Sequence, residues 1–367
     1  MKRIGRFLLR LAVTGLLTFV LLELGLAWLS RSDRWPYSKP SYRAANAQSR
    51  FWADLDPVVG VWHEPNSTYR HVTPCFDLTY KANSYGARDR ERQADAEGRR
   101  RVVVLGDSQI EGYGVATEAR LSDRLERITG MEHLNFSTAG SFGPLQYSLL
   151  YSSRAARFEH AAVLVGILPD NDFEDDDPDF VRSAHAGRYR PYLSGAYPDY
   201  TIAYSLPSLP AIRSSFSPEL LARQFSYTAI VLKNIIGTRR QQRSGRPPGY
   251  SGYFDYTPAQ WDRLRFVLGQ LRAATGDRPL VALTIPCWND VQRTRKSGTP
   301  PLPQQMAALC AELGIEYLDL LPATMAQPDG GESCYLTCDR HWSARGNELA
   351  AEQVLATSLY QTPPPRP

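Results

Sequence analysis

Four short apolar runs, at 101–106, 161–167, 280–285 and 315–320, constrain the fold of this chain more than any other feature. Arg101-Val-Val-Val-Leu-Gly106 is representative, being rich in β-branched residues, flanked by charge and ended by glycine. Such runs are expected of buried parallel strands, although the last also carries Glu316 and Asp319. Helical segments are predicted between them, at 119–129, 145–156, 258–275 and 303–313. Strands alternating with helices of that length predict an α/β fold, a parallel sheet between two helical layers.

Composition agrees with a packed core. Of the 367 residues, 43% are hydrophobic and 11% aromatic, which excludes a disordered chain. The 26 glycines and 27 prolines show no period, which excludes a collagen-like one. Five cysteines are too few for a disulfide-built scaffold, and the odd number leaves at least one without an intrachain partner.

The N-terminus reads as a membrane anchor. Residues 11–29 are apolar except for Glu23, and Lys2, Arg3, Arg6 and Arg10 precede them. About 20 apolar residues suffice to span a bilayer as a helix. The basic cluster predicts a cytoplasmic N-terminus and an extracytoplasmic remainder, giving a single-pass inner-membrane protein with a periplasmic domain. Trp28, Trp35 and Tyr37 suit the outer interface. A cleaved signal peptide is the competing reading, but no small-x-small site closes the run, and the anchor is favoured. For Glu23 two readings stand level: it faces another helix, or it lies close enough to the interface to reach water.

The expected organisation is an anchor at 1–34, a linker and irregular β segment at 35–100, and a single α/β domain at 101–360 with an insertion at about 178–255. Within the second segment, 30–55 reads as linker and 56–90 as hairpins or irregular β structure. The formal net charge of +4 resolves along the same lines. Residues 1–34 hold six Lys/Arg (Lys2, Arg3, Arg6, Arg10, Arg31, Arg34) against Glu23 and Asp33, and the rest of the chain is balanced. The basic charge thus belongs to the anchor and gives no support for nucleic-acid binding.

Chemistry-bearing residues fall at strand ends. Gly106-Asp107-Ser108 directly follows the first run, where ligands bind in an open parallel sheet. A nucleophilic serine needs a base, and the base needs an orienting group. Of the six histidines (His63, His71, His133, His160, His185, His341), His341 stands in a setting suited to that role, Cys338-Asp339-Arg340-His341-Trp342. Oxyanion donors, each worth about 10²–10³ in rate, are available from the backbone of Gly140 in Asn135-Phe-Ser-Thr-Ala-Gly140, from the side chain of Asn171 in Pro169-Asp-Asn171-Asp, and from the Ser108 amide.

In this order the pieces resemble the SGNH/GDSL hydrolase superfamily, whose four blocks contribute serine, glycine, asparagine and histidine. The resemblance runs from about residue 60 to residue 355, since Asn83-Ser-Tyr-Gly86-Ala-Arg88-Asp89 is similar to a segment of membrane-anchored members. It implies a flavodoxin-like α/β/α fold and a serine esterase or O-acyltransferase needing no cofactor or metal. Ser108 would be the nucleophile, His341 the base and Asp339 its orienting carboxylate, with Ser108, Gly140 and Asn171 as the oxyanion hole. One departure stands out: the family spaces the last aspartate and histidine by two residues, and here only Arg340 separates them. The Asp-x-His-Trp form is similar instead to alginate and exopolysaccharide O-acetyltransferases. The implied function is acyl-ester chemistry, acetyl above all, on a cell-envelope or exported polysaccharide, with a membrane acyl-donor protein as a possible partner. A lipid esterase or thioesterase, which would want a long apolar cleft, and a non-catalytic glycan-binding or assembly subunit are the alternatives.

Other features have plainer readings. Glu174-Asp175-Asp176-Asp177 and Asp179 read as a solvated acidic loop rather than a cation site. Tyr189, Tyr192, Tyr197, Tyr200 and Tyr204 suit either sugar stacking or packing of the insertion. Arg239, Arg240, Arg243 and Arg246 read as an exposed basic loop, and 363–367 as an unstructured tail. Cys310 reads as a buried thiol; a disulfide joining Cys334 to Cys338, or either to Cys75 or Cys287, is left open.

Overall fold

The computed structural model describes residues 2–32, 34–184, 187–210, 217–241 and 249–361. Helix α1 (Lys2–Leu29) leads into two hairpins, β1 (Asp54–Asp56) with β2 (Gly60–Trp62) and β3 (Thr68–Val72) with β4 (Asp77–Lys81). The domain proper then runs β5 (Arg101–Gly106), α2 (Ser108–Glu111), α3 (Leu121–Thr129), β6 (Glu132–Ser137), α4 (Pro144–Ser153), β7 (Ala162–Ile167) and α5 (Pro169–Asp175). The insertion holds α6 (Pro178–Ala184), the hairpin β8 (Pro191–Ser194) and β9 (Thr201–Tyr204), α7 (Pro218–Phe225) and α8 (Tyr227–Gln241). The chain returns through α9 (Pro258–Thr275), β10 (Leu280–Thr284), α10 (Trp288–Ser297), α11 (Leu302–Leu313), β11 (Glu316–Asp319), α12 (Leu321–Met325), α13 (Ala344–Val354) and α14 (Ser358–Gln361).

The sheet is five-stranded and parallel, in the order β11-β10-β7-β5-β6. The chain leaves β5 to form β6 at the edge, then crosses back over β5 to β7. That reversal is the topological switch of a flavodoxin-like sheet, and ligands bind there beyond the strand ends. Right-handed crossovers put α4, α9 and α11 on one face and α3 with α13 on the other, matching the contacts α4–α9, α9–α11 and α3–α13. This is the expected three-layer α/β/α architecture. Every residue of β5, β7 and β10 is buried, which is why their sequences are continuous apolar runs. The stretch Arg3–Leu29 is long and apolar enough to cross a bilayer and is not buried in the domain.

Three expectations are corrected. Residues 30–55 are not a free linker: Trp35 and Phe51 are buried, Tyr42 N donates to Gln224 O at 2.9 Å, and a short turn of helix at Ala44–Ala47 packs on α7. The acidic run is not a solvated loop. Glu174, Asp175 and Asp176 are buried; Asp176 accepts the Leu145 N–H at 2.9 Å and Asp177 pairs with Arg263 at 2.9 Å. Finally, edge strand β6 is a strand that apolar patterning does not announce. Of the two readings of Glu23, the structure has it face another helix: its carboxylate accepts from Ser226 Oγ at 2.7 Å and from the Tyr227 and Thr228 amides at 2.9 Å, capping α8.

The insertion's tyrosines pack it onto the domain. Tyr189 and Tyr204 stack at 5.0 Å and donate to the carbonyls of Pro57 and Val58, while Tyr200 meets Phe266 edge-on. Side chains of the basic cluster at 239–246 and the tail at 363–367 lie outside the described residues. Cys75 and Cys338 form a disulfide; Cys310 and Cys334 are free thiols, and burial pushes Cys310 up to about 12.

Candidate active site

The sharp turn after β5 presents Ser108. Gly106 allows it, because a Cβ there would come within 2.6 Å of the Ile110 side chain. Asp107 caps the turn, its carboxylate accepting the Gln109 N–H at 2.9 Å. Burial raises the Asp107 carboxyl to about 6, against the pull of the Gln109 amide and the charge of His341. The Ser108 amide heads α2 and makes no hydrogen bond among the described residues, so it is free to donate into the site.

His341 arrives on a tight loop before α13. Tyr335 and Trp342 form a β-bridge, Leu336 N donates to His341 O at 2.6 Å, and Arg340 N donates to Leu336 O at 3.1 Å. His341 Nε2 lies 2.9 Å from Ser108 Oγ, and His341 Nδ1 lies 3.4 Å from Asp339 Oδ1. That same Oδ1 accepts the His341 backbone N–H at 3.1 Å. Arg340, with φ of +64°, turns the chain so that the carboxylate folds back onto its own neighbour's ring. Burial works to raise the Asp339 carboxyl; its bonds to His341 and the His341 and His71 charges outweigh this and hold it below the ordinary value. Two further bonds fix the loop: Trp342 N donates to Gln109 Oε1 at 2.8 Å, and Tyr335 OH donates to Pro286 O at 2.7 Å.

Ser108, His341 and Asn171 line one open cavity of about 260 Å³, together with Thr138, Ala139, Ser141 and Phe142. Asn171 sits in the first turn of α5; its Nδ2 donates to Asp175 Oδ2 at 3.2 Å and its buried Oδ1 has no partner. Gly140 lies in sequence between the lining residues Ala139 and Ser141 and does not itself line the cavity; a Cβ on it would meet the Phe142 and Val61 side chains at 3.4 Å.

Residues that sequence reasoning did not single out complete the surroundings. The Tyr113 ring lies over His341 at 4.3 Å, and its hydroxyl is 3.5 Å from His71 Nε2. Fully buried Glu111 accepts the Ala139 N–H in a short contact and the Trp52 indole N–H at 3.2 Å, with His63 Nε2 at 3.6 Å. Burial favours a neutral Glu111, but the His63 charge and hydrogen bond, Arg88 and the Ala139 amide prevail and hold it below the usual range. Arg190 ties the Ser141 carbonyl to Asp175, whose backbone carbonyl it also bonds at 2.6 Å. Nothing in the local sequence singles out Glu111, Tyr113 or Arg190.

No protein-family profile and no curated protein matches this chain. Among solved structures it is similar to the lipase/acylhydrolase from Enterococcus faecalis, at 12% identity over 73% of this chain and 100% of that one, with a TM-score of 0.40. A member of the lipolytic protein G-D-S-L family from Veillonella parvula matches at 10% identity, covering 71% and 99%, TM-score 0.36. A family two carbohydrate esterase from Clostridium thermocellum matches at 14% identity, covering 70% and 62%, TM-score 0.33. Scores of this size leave the functional reading to the geometry of the site.

Proposed function

We propose that this protein is a membrane-anchored serine acyl-ester enzyme, acting on acetyl groups of a cell-envelope or exported polysaccharide. The observation that carries the reading is the 2.9 Å contact between Ser108 Oγ and His341 Nε2, with Asp339 behind the ring, at the switch point of the sheet. With its Nδ1 proton turned to Asp339, His341 presents Nε2 as an acceptor. The Ser108 hydroxyl passes its proton there as Oγ bonds to the ester carbonyl carbon, and the carbonyl electrons move onto oxygen. The Ser108 amide, the Gly140 amide and the second Asn171 Nδ2 hydrogen are the donors proposed for that oxyanion. Collapse breaks the ester C–O bond, the leaving alkoxide takes the proton from His341, and an acyl-serine remains. Water or a sugar hydroxyl then attacks its carbonyl carbon, losing a proton to His341, and collapse breaks the acyl–Oγ bond as His341 returns that proton to Ser108.

A cavity of about 260 Å³, lined mainly by short and polar side chains, favours a short acyl group over a lipid chain. Helix α1 supports placement at a membrane surface. The test uses the full chain in detergent with an activated acetyl ester, with and without an acceptor oligosaccharide, beside Ser108→Ala. Turnover and an acetylated Ser108 peptide in wild type, both lost in the variant, are expected; turnover equal in the two proteins would sink the proposal. Turnover that rises with the sugar and leaves acetylated product assigns a transferase, and release of free acetate alone assigns an esterase.

A further inference from the structure

Away from the catalytic mouth, a second cavity of about 200 Å³ opens between the segment 38–41, strand β3 and helices α7 and α8. Its walls are basic: Lys39, Arg70, Arg223 and Lys233 all line it. Arg70 is already committed, through Nε and Nη2 to Asp77 at 2.9 and 2.6 Å and through Nη1 to Ser41 O. Arg223 reaches Glu219 only at 4.0 Å. Among the described residues Lys39 and Lys233 form no ion pair. The cavity therefore carries positive charge that the protein leaves uncompensated.

His71 supplies an independent indication of a ligand. It lines the same cavity, is only 8% exposed, and its Nδ1 has no hydrogen-bond partner. Its Nε2 faces two hydroxyls, Ser38 Oγ at 3.2 Å and Tyr113 OH at 3.5 Å. With both hydroxyls donating, Nε2 is the acceptor and the ring proton sits on Nδ1 as a buried N–H lacking an acceptor. Two ammonium groups with no ion pair among the described residues, beside Arg223, call for an anion with several acceptor oxygens, to which a His71 ring protonated at Nδ1 would add a donor.

The position says where such an anion comes from. Glu23 of α1 caps the start of α8, fixing α8 beside the apolar helix. Ile230, Lys233 and Asn234 of α8 line the cavity, whereas Leu232, Ile235 and Ile236 are 55, 40 and 56% exposed on its outer side. Such a helix, apolar outward and basic inward, fits one lying on a bilayer surface. We propose that this cavity binds the phosphate of an anionic phospholipid headgroup at the membrane surface. The lipid source rests on the membrane placement proposed above; the phosphate chemistry does not.

The full-length protein is purified in detergent with phosphatidylcholine or phosphatidylglycerol, and bound lipid is counted by native mass spectrometry. The expected result is at least a tenfold preference for phosphatidylglycerol, lost in Lys39→Gln/Lys233→Gln and kept in the surface control Lys81→Gln/Lys296→Gln. A basic-pair variant that retains the preference overturns the site. Orthophosphate or glycerol phosphate displacing the lipid at equal concentration overturns the lipid source. Should the double variant fail to melt cooperatively, Arg223→Gln is read the same way. Ser108→Ala must bind lipid like wild type, so failure of the esterase reading leaves this result standing, and the basic-pair variant must hydrolyse the soluble ester normally.

Discussion

The disulfide between Cys75 and Cys338 places a covalent link three residues from the proposed base, and removing it tests both stability and the catalytic loop. Cys75 lies at the turn between β3 and β4; Cys338 directly precedes Asp339. The base of the loop has its own supports, the Tyr335–Trp342 bridge and the Gln109 and Pro286 contacts, whereas the apex, Cys338–Arg340, relies chiefly on the sulfur link. The link spans 263 residues of sequence. On a chain-entropy account, closing a loop of that length is worth about 5–6 kcal/mol. With an unfolding entropy of about 2.1 cal/mol/K per residue over 367 residues, that loss lowers Tm by roughly 7 °C. Freeing the apex also lets Asp339 leave the His341 ring, so kcat for a soluble acetyl ester falls by about tenfold or more, with KM little changed. The experiment compares wild type, Cys75→Ser/Cys338→Ser and reductant-treated wild type by calorimetry and ester hydrolysis. A double variant with unchanged Tm and unchanged kcat would refute both halves of the reasoning. A lowered Tm with full activity would refute only the half that assigns the disulfide a hold on Asp339.

Two further perturbations probe buried carboxylates. Glu111→Gln removes the charge that faces His63 and anchors the Ala139 amide; breaking a buried pair costs about 3–5 kcal/mol, and kcat is expected to fall more than KM rises as the loop carrying Gly140 loosens. A lower Tm with unaltered kcat would reduce Glu111 to a structural role. Asp290 is raised by burial to about 7, against the bonds from Ser251 and the Cys287 and Tyr253 amides. A raised carboxyl favours the folded state below the unfolded pKa and loses that contribution as pH rises through the folded value. Between about pH 5 and pH 8.5 wild type should therefore lose about 3 kcal/mol that Asp290→Asn does not lose. Denaturant titrations of both proteins at the two pH values check this, and parallel losses would disprove it.

The buried strands and the helices between them were legible because full burial demands continuous apolar sequence, and the expected helix over 258–275 is α9 to the residue. Strand β6 escaped the same logic because its polar residues are satisfied individually. Glu132 accepts from Arg101 at 2.6 Å, His133 Nε2 meets Tyr360 OH at 2.8 Å, and Asn135 donates to Ile110 O and Ser122 Oγ. The acidic run misled for a related reason. Composition marks four consecutive acids as surface, yet Asp176 of the run, and Asp172 just before it, are buried where they accept the Leu145 and Leu168 amides, and burial raises both carboxyls, Asp176 to about 7. Pairings across 49 residues or more, such as Arg190 with Ser141 or Trp52 with Glu111, leave no local trace in the sequence.

The spacing of Asp339 and His341 shows how a motif one residue shorter than the pattern it resembles can still bring a carboxylate to an imidazole. With two residues between them, a carboxylate and an imidazole can meet across an ordinary turn. With one, successive side chains of an extended chain share a face but stand too far apart for a ring nitrogen to reach a short carboxylate squarely. Arg340 resolves this by entering the left-handed region, at a cost of about 1 kcal/mol for a residue with a Cβ. The Asp339 carboxylate then reaches both the backbone N–H and the ring Nδ1 of His341. The surrounding hydrogen bonds offset that strain, for Arg340 N and Leu336 N each find a carbonyl across the loop and Cys338 is held by sulfur. The shorter spacing is therefore absorbed by the backbone of the loop, and Ser108 Oγ and His341 Nε2 meet at hydrogen-bond distance.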